Sequence, residues 1–405
     1  MFRAEDIRAD FPILSRKVYG KPLVYLDSGA TAQKPSCVID KIDYLYRALN
    51  SNIHRGVHHL SEEMTSQYEQ ARRKVQTFIG AKYAHEVIFT AGATASINLV
   101  AYAWGDANIS AGDNVIVSEM EHHSNIVVWQ QIALRKGAEL RILPFDDSGE
   151  IDMEMLDSLL DAKSKLVTIT QASNTLGTRP NLKLIIEKAH SCGAKVMVDG
   201  CQGAVHGGVD VVALGCDFYA FSGHKLYGPT GIGVLYGREE LLDAMPPFHF
   251  GGDMVDRVSF EKTTFAPLPL KLEAGTSNFV GAIGLGEAID YISRFDAHEI
   301  ESHEKMLLDM LTSQLMTVDG MQIYGTSPTK CGIVSFNVDG VHHLDLGMIL
   351  DKMGVAIRTG QHCAEPTMKH FGITGMCRAS LAMYNTEEDV NACVTAVKRA
   401  VVMLK

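Results

Sequence analysis

The apolar run Phe218-Tyr219-Ala220-Phe221 leads directly into the polar segment Ser222-Gly223-His224-Lys225-Leu226-Tyr227-Gly228. The run is typical of a buried strand, and the segment places a lysine in the turn that follows it. Because ligands of open α/β sheets bind beyond the carboxyl ends of the strands, Lys225 is a candidate nucleophile for an aldehyde cofactor. Ser222 and His224 would then bind a phosphate group of that cofactor. The alternative is a solvated lysine in an ordinary glycine-containing loop.

Apolar runs that alternate with helix-length segments extend on both sides of this strand, from residue 87 to residue 236. Their continuous apolar character is typical of strands that are buried on both faces of a parallel sheet. Strands are predicted at residues 87–90, 114–117, 140–143, 166–169, 195–198, 218–221 and 232–235, and helices at 126–135 and 182–190. The pattern predicts an α/β fold in which helices cover both faces of a mostly parallel, mixed sheet.

The final third of the chain combines short strands with longer helices. Helices are predicted at residues 283–294, 303–315 and 344–353, strands at 333–337, 355–358 and 378–383, and a last helix from Asn385-Thr386. This part is interpreted as a smaller α+β domain. We expect a large domain of residues 17–290 and a small domain of residues 1–16 and 291–405. Residues 245–269, rich in proline, glycine and aromatic side chains, are expected to form a long ordered loop.

The composition is that of a globular protein with a sizeable core, because 46% of the 405 residues are hydrophobic and 21% are charged. This balance excludes disorder as the main state. The net charge of −11 argues against nucleic-acid binding. No run reaches the roughly 18 apolar residues that a membrane span needs, and the charged start, Met1-Phe2-Arg3-Ala4-Glu5-Asp6, lacks an apolar signal core. We therefore expect a cytoplasmic protein that does not contact membranes.

The eight cysteines form no C-x-x-C pair, so neither a disulfide framework nor a zinc cluster is predicted. Most of them are expected to be small buried hydrophobic residues, and the open question is whether one is reactive. His54 and His58 have i, i+4 spacing, but no third ligand accompanies them. His122 and His123 are adjacent in a predicted loop and would not share a helix face. No metal site is therefore expected.

Polar residues also follow other predicted strands. Asp199 follows the strand at 195–198, where a carboxylate can pair with a protonated pyridine nitrogen or can be a simple turn residue. Thr94 lies in a turn of small residues whose backbone N–H groups suit a phosphate, although ordinary strand–helix turns look similar. His122 follows the strand at 114–117. A phosphate turn, a histidine, an aspartate and a lysine at one sheet edge are together far more specific than any one of them.

Further motifs extend over the whole chain. They are Y-L-D-S-G-A-T (25–31), H-R-G-V-H (54–58), E-H-H-S-N-I-V (121–127), V-D-G-C-Q (198–202), F-S-G-H-K-L-Y-G-P (221–229), E-A-G-T (273–276), R-T-G-Q-H-C-A (358–364) and C-R-A-S (377–380). On these motifs the chain resembles the pyridoxal 5'-phosphate (PLP) enzymes of fold type I, and among them the group II, SufS-type cysteine desulfurases of the class V aminotransferase-like family. The resemblance implies conversion of L-cysteine to L-alanine, with sulfur supplied to iron–sulfur cluster assembly.

The resemblance also implies a role for each matching residue. Lys225 would hold the cofactor through a Schiff base and, once released, remove the α-proton of the substrate. The other cofactor contacts would be Asp199 at the pyridinium nitrogen, Gln202 at the phenolic oxygen, His122 stacked on the ring, Thr94, Ser222 and His224 at the phosphate, and Thr276 reaching in from the partner subunit of a homodimer. In the substrate site, Asn174 and Arg378 would bind the carboxylate, with Arg358 beside them.

Cys363, by the same resemblance, would attack the substrate sulfur as a thiolate and carry it as a persulfide. Arg358 and His362 flank Cys363 and are expected to favour the thiolate electrostatically. The alternative is one more buried cysteine, but the polar neighbours of Cys363 indicate a loop. Cys201 and Cys377 have apolar or small neighbours, so we expect both to serve packing.

The motif at residues 358–364 resembles group II enzymes in particular, in which the cysteine loop is short and ordered. Such a loop implies a dedicated sulfur-acceptor protein of the SufE or SufU type. Ala95 stands where the family often has an acid, and Gln361 stands where a histidine is common. The first departure is expected to alter a contact between subunits, and neither removes a catalytic group.

Two other functions compete with the desulfurase. A selenocysteine lyase, or another class V PLP enzyme, would keep Lys225 but would not require Cys363. A non-catalytic scaffold that only binds partners would form no covalent link between Lys225 and a cofactor. Replacing Cys363 and labelling Lys225 therefore separate the three hypotheses.

Overall fold

The computed structural model describes residues 2–405, and its main feature is a large central sheet. The strands of this sheet are β1 (Val87–Thr90), β2 (Asn114–Ser118), β3 (Glu139–Leu143), β4 (Ser164–Thr170), β5 (Lys195–Asp199), β6 (Phe218–Ser222) and β7 (Gly233–Gly237). Their order is β1-β7-β6-β5-β4-β2-β3. Strand β7 runs antiparallel to β1 and β6, and the other neighbours are parallel. The predicted mostly parallel, mixed sheet is confirmed.

Helices cover both faces of the sheet. Those of eight or more residues in the described part of the chain are α1 (Ser36–Tyr44), α2 (His59–Phe78), α3 (Ala93–Val100), α4 (Val127–Lys136), α5 (Leu182–Ser191), α6 (Phe279–Ile292), α7 (Ala297–Leu315), α8 (His343–Lys352) and α9 (Glu387–Leu404). Successive side chains of a strand point to opposite faces. Accordingly, Val196 and Val198 of β5 pack in one apolar cluster with α2, α5 and α6, whereas Met197 packs in another with α3 and α4.

A second, antiparallel sheet lies in the final third of the chain. It consists of β8 (Met321–Tyr324), β9 (Ile333–Val338), β10 (Arg358–Gly360) and β11 (Met376–Ser380), in the order β8-β9-β11-β10. Side chains of α7, α8 and α9 pack against this sheet in a separate apolar cluster. Helix α9 begins where the sequence predicts, because the side chains of Thr386 and Asp389 cap each other's backbone N–H groups.

Two predictions for this half of the chain are wrong. The strand predicted at 355–358 is divided between two sheets, since Val355–Ala356 pairs with Val24–Tyr25 and Arg358–Gly360 pairs with β11. Pairing over so long a sequence separation leaves no local signal. The loop predicted at 245–269 contains a hairpin of Val255–Val258 and Thr263–Phe265, whose pairing shifts register between Val255 and Arg257.

One close backbone approach brings the turn after β1 to the end of β7. A Cβ atom on Gly233 would lie 2.4 Å from the Cα of Gly92, so only glycine allows this packing. The turn that leads into α3 and Thr94 is thereby held against β7, the neighbour of β6, and β6 leads to Lys225. None of the helices within residues 2–405 combines the length and the apolar character needed to cross a membrane.

Candidate active site

A cavity of about 340 Å³ lies at the carboxyl ends of β5 and β6. The residues predicted for the site that line it are Thr94, His122, Asn174, Asp199, Ser222, His224, Lys225, Arg358, Cys363 and Arg378. Chain segments from both sheets therefore meet at this one cavity. Gln202 and Thr276 do not line it: Gln202 is buried and donates from Nε2 to the Gly29 carbonyl at 2.8 Å, and Thr276 borders a separate cavity of about 280 Å³.

Asp199 and Lys225 line this cavity from the ends of neighbouring strands. Asp199 is the last residue of β5 and is buried, and its Oδ1 accepts a hydrogen bond from the Cys201 backbone N–H at 2.9 Å. Lys225 ends a single 3₁₀ turn directly after β6. Among the described residues its Nζ makes no hydrogen bond or ion pair. An amine without a partner is therefore available to a molecule that enters the cavity.

Three donors from one short segment hold the peptide that precedes Lys225. The His224 carbonyl accepts from the Ala32 backbone N–H at 3.1 Å, from Thr31 Oγ1 at 3.1 Å and from Lys34 Nζ at 2.8 Å. Burial lowers the pKa of Lys34 to about 8, and this lysine was not recognised from the sequence. The segment 31–34 thus fixes the backbone from which the Lys225 side chain extends.

The predicted phosphate residues lie around the start of α3. Ser222 Oγ accepts from the Ala93 backbone N–H at 2.9 Å, and Thr94 Oγ1 lies 2.7 Å from Ser124 Oγ. Burial and the nearby charge of Lys225 lower the pKa of His224 to about 4, so its imidazole is neutral. The free N–H groups at a helix start, together with these hydroxyls, form a suitable site for a phosphate. Ser124 is a further polar member that the sequence did not single out.

His122 lies in the loop after β2 as a neutral imidazole. Its Nδ1 accepts from the Ser124 backbone N–H at 3.1 Å, so the ring proton is on Nε2. Burial and the charge of Lys225 lower the pKa of His122 to about 4. The neighbouring Glu121 is fully buried, which raises its pKa to about 8, and it accepts from the Thr170 backbone N–H at 2.7 Å. Glu121 therefore ties the His122 loop to the end of β4.

Cys363 lies on a short connection, residues 361–364, between β10 and the helix Glu365–His370. Both His362 and Cys363 adopt positive φ angles, of 54° and 55°, which are rare outside glycine. The His123 backbone N–H donates to the Cys363 carbonyl at 2.7 Å, and Asn174 Nδ2 donates to the His362 carbonyl at 2.9 Å. These contacts overdetermine a strained loop, as is typical of functional sites.

The cysteines differ in their exposure as the sequence predicts. Cys363 is exposed, whereas Cys201 and Cys377 are buried. Burial raises the pKa of each of these two thiols to about 12, which makes them inert packing residues near neutral pH. Only the thiolate is a strong nucleophile, so Cys363 is the accessible candidate in this cavity.

The prediction that His362 favours the Cys363 thiolate electrostatically is wrong. Burial, together with the charge of Arg378, lowers the pKa of His362 to about 3, so the ring carries no charge near neutral pH. Its Nε2 lies 3.1 Å from the Met376 carbonyl oxygen. Arg358 remains as the cation beside the cysteine loop.

This buried histidine should make stability depend on pH. In the unfolded chain His362 binds a proton below about pH 6.5, whereas the folded protein does not until about pH 3, so acid favours unfolding in that interval. Between pH 7 and pH 5, the free energy of unfolding should fall in the wild type by about 2 kcal/mol more than it does in His362→Gln. Urea unfolding at the two pH values measures this difference, and equal losses in both proteins would contradict the neutral state of His362.

The two arginines of the cavity share one carboxylate. Arg378 is buried; its Nη1 donates to the Asn174 carbonyl at 2.7 Å and its Nη2 contacts Asp27 Oδ1 at 3.2 Å. Its Nε has no hydrogen-bond partner among the described residues. Arg358 contacts the same Asp27 at 3.1 Å. Because Arg378 lines the cavity, its guanidinium is placed to bind a carboxylate that enters there.

Comparison with known proteins agrees with this arrangement of fold and site. The family model for aminotransferase class-V matches residues 24–393. A cysteine desulfurase of Enterobacter sp. (strain 638) is 50% identical over 399 residues, which are 98% of each chain. The crystal structure of the cysteine desulfurase CsdA of Escherichia coli, in an S-sulfonic acid form, superimposes with a TM-score of 0.94 at 42% identity over all of both chains. An apo cysteine desulfurase from Thermococcus onnurineus NA1 has the same TM-score at 38% identity, over 100% of this chain and 99% of that one.

The chain therefore belongs to the aminotransferase class-V family, the PLP-dependent enzymes of fold type I, and within it to the cysteine desulfurases. The resemblance inferred from the motifs is thereby confirmed.

The side chains of the cavity fit this cofactor. A buried carboxylate, an unpaired lysine amine and a helix start with two hydroxyls are the donor set that a pyridine nitrogen, an aldehyde and a phosphate need. Within residues 2–405, no three His, Cys, Asp or Glu side chains are grouped so that they could hold a metal ion.

Proposed function

We propose that this chain converts L-cysteine to L-alanine and carries the released sulfur as a persulfide on Cys363, from which it is supplied to iron–sulfur cluster assembly. The single observation that carries the proposal is that Cys363, Lys225 and Arg378 line one cavity. A nucleophilic amine, a carboxylate-binding guanidinium and an accessible thiol are the three groups that this reaction requires.

The cofactor residues have separate tasks in this proposal. PLP, when bound, supplies an electron sink for the electron pair released at the substrate Cα. Lys225 holds the cofactor covalently and, as a free amine, takes the proton from Cα. Asp199 would pair with the ring nitrogen and the neutral His122 would stack on the ring, whereas Gln202 would reach the phenolic oxygen only by giving up its hydrogen bond to the Gly29 carbonyl. Thr94, Ser222 and His224 hold the phosphate.

The substrate residues orient L-cysteine and receive its sulfur. Arg378 binds the carboxylate, with Asn174 and Arg358 beside it, and so directs the substrate sulfur to Cys363. The Cys363 thiolate attacks that sulfur and forms an S–S bond, while the bond between Cβ and sulfur breaks. The electron pair of that bond stays with Cβ, which takes a proton, Lys225 returns a proton to Cα, and the product leaves as alanine. The enzyme keeps the sulfur as a persulfide.

The direct test of this activity uses the holoenzyme and L-cysteine. We expect alanine to form, and with a thiol reductant present we expect one sulfide for each alanine, because the reductant releases the persulfide sulfur. Formation of pyruvate and ammonia instead of alanine would mean that the cavity catalyses a different PLP reaction.

A dedicated acceptor protein of the SufE or SufU type is the proposed partner for sulfur transfer. The cysteine loop has only four residues and is held by His123 and Asn174, so Cys363 has little freedom to move toward distant acceptors. An acceptor thiol must therefore approach Cys363 at the protein surface, where this cysteine is exposed.

A homodimer is the proposed assembly, with Thr276 reaching the phosphate site of the partner. Large apolar side chains are exposed around the hairpin of residues 255–265, among them Phe250 at 73% and a completely exposed Phe260. Val57, at 95% exposure, belongs to a segment that is joined to this region by the ion pair of Arg55 and Asp253 at 2.8 Å. Large exposed apolar side chains such as these are typical of a protein–protein interface when they form one patch.

Mixed dimers test the role of Thr276 across the interface. Lys225→Ala and Thr276→Ala subunits are each expected to be impaired as homodimers. A dimer with one subunit of each kind has one site with both native residues only if Thr276 acts in the partner's site. We therefore expect each mixed dimer formed by subunit exchange to have about half the activity of a wild-type dimer. Activity no higher than that of the two homodimers would place Thr276 in its own subunit's site.

A further inference from the structure

Asp27 takes no part in the proposed reaction, although it contacts both arginines of the substrate site. It follows the short strand Val24–Tyr25 and forms an isolated parallel bridge with Ser380 of β11. Its Oδ1 lies 3.2 Å from Nη2 of Arg378, and its Oδ2 lies 3.1 Å from Nη2 of Arg358. Arg358 also places Nε 3.1 Å from Oδ1. One carboxylate therefore bridges two guanidinium groups.

The two arginines depend on Asp27 to different degrees. Arg378 is buried and is also held by the Asn174 carbonyl. The side chain of Arg358 is 47% exposed, and within residues 2–405 it hydrogen-bonds to Asp27 alone. Asp27 offsets the repulsion between the two guanidinium charges and orients this long side chain toward Arg378, and an Asn at this position would keep one oxygen that accepts from Arg358. Asp27 thus keeps Arg358 next to Arg378.

The charge of the substrate site also depends on Asp27. Arg358 and Arg378 contribute two positive charges, and Asp27 removes one of them. The neighbouring His362 is neutral near pH 7, because burial lowers its pKa to about 3. The arginine pair therefore presents a net charge of one, which matches the single carboxylate of an amino acid.

We infer that Asp27 is a specificity-determining residue of the substrate site: it positions both arginines and limits the charge they present, so that the site prefers a monocarboxylate to a dianion. Asp27 acts through the arginines and is a positioning residue, not a catalytic one. This role rests on the proposed function, in which the arginines bind the substrate carboxylate.

Equilibrium binding of two simple anions to the holoenzyme tests this role without any turnover. Acetate and malonate carry one and two charges, and titration calorimetry gives the dissociation constant of each. We expect Asp27→Asn to raise the ratio of the acetate constant to the malonate constant roughly tenfold, since the site gains one positive charge at contact distance. Asp27→Glu keeps the charge and should leave the ratio within about twofold of the wild type.

A second substitution restores the charge and separates it from structure. In Asp27→Asn/Arg358→Gln the arginine pair again presents one positive charge, so the ratio should return to the wild-type value. A purely structural role of Asp27 would weaken both anions together and leave the ratio unchanged. Asp106→Asn is the matched control, because Asp106 pairs with Arg135 at 2.6 Å away from the cavity.

The outcomes that overturn the inference are an unchanged ratio in Asp27→Asn, or a double variant that keeps the altered ratio. If Asp27→Asn fails to fold, Arg358→Gln alone gives the answer, since it should lower the ratio roughly tenfold by leaving the site without net charge. The titrations contain no cysteine. Failure of the desulfurase assay would therefore leave their result standing, and the two proposals fail separately.

Discussion

Replacing Lys225 with alanine should abolish alanine formation from L-cysteine, with a fall in kcat/KM of at least about 10³-fold. The variant loses both the covalent attachment of the cofactor and the amine that takes the Cα proton. In the wild type, Nζ of Lys225 makes no hydrogen bond or ion pair among the described residues, so the substitution removes no stabilising contact of this group. Steady-state measurement of alanine, with added PLP present, gives the effect.

Borohydride reduction of the wild-type holoenzyme provides the structural counterpart of that result. We expect the yellow colour to be lost and the reduced cofactor to be found on the peptide that contains Lys225. Lys82, an exposed lysine outside the cavity, is a suitable control, because Lys82→Ala should keep both the activity and the label. Label on another lysine, or none at all, would contradict the assignment, and the absence of label would favour a non-catalytic scaffold.

Replacing Cys363 with alanine should remove cysteine desulfuration, by on the order of 10³-fold or more, while the cofactor stays bound. The thiol is the proposed acceptor of the substrate sulfur, and its exposed position means that alanine leaves no cavity in the core. The visible absorption of the holoenzyme should therefore be unchanged. Cys192→Ala, at a partly buried thiol outside the cavity, should keep full activity.

Selenocysteine distinguishes the desulfurase from the competing lyase with the same variant. Cleavage of selenocysteine needs no protein thiol in principle, so a lyase would retain it in Cys363→Ala. Full turnover of L-cysteine by Cys363→Ala would make the proposed sulfur transfer wrong.

The large sheet could be predicted from the sequence because six of its seven strands, all but the edge strand Glu139–Leu143, are almost entirely buried. Such strands consist almost entirely of apolar residues, and each predicted strand agrees with the structure to within two residues. The strand at 355–358 was mispredicted because its two halves pair with segments far away in sequence. Pairing between distant segments leaves no periodicity in the strand itself.

The cavity residues at strand ends were predictable for a similar reason. Parallel strands end at one edge, so Asp199 and Ser222 had to lie near each other once their strands were recognised. The neutral state of His362 was not predictable, because it depends on burial by elements that the local polar sequence does not reveal. The role of Asp27 was also hidden, because this residue meets Arg358 across 331 positions of the chain.

The central claim is that sulfur from L-cysteine is transferred to Cys363. Its most direct test is to incubate the holoenzyme with L-cysteine, stop the reaction during turnover, and locate the modified cysteine by mass spectrometry of its peptides under non-reducing conditions. We expect one additional sulfur atom on the peptide that contains Cys363 and none on the peptides of the buried cysteines. An unmodified Cys363 during turnover would contradict the account.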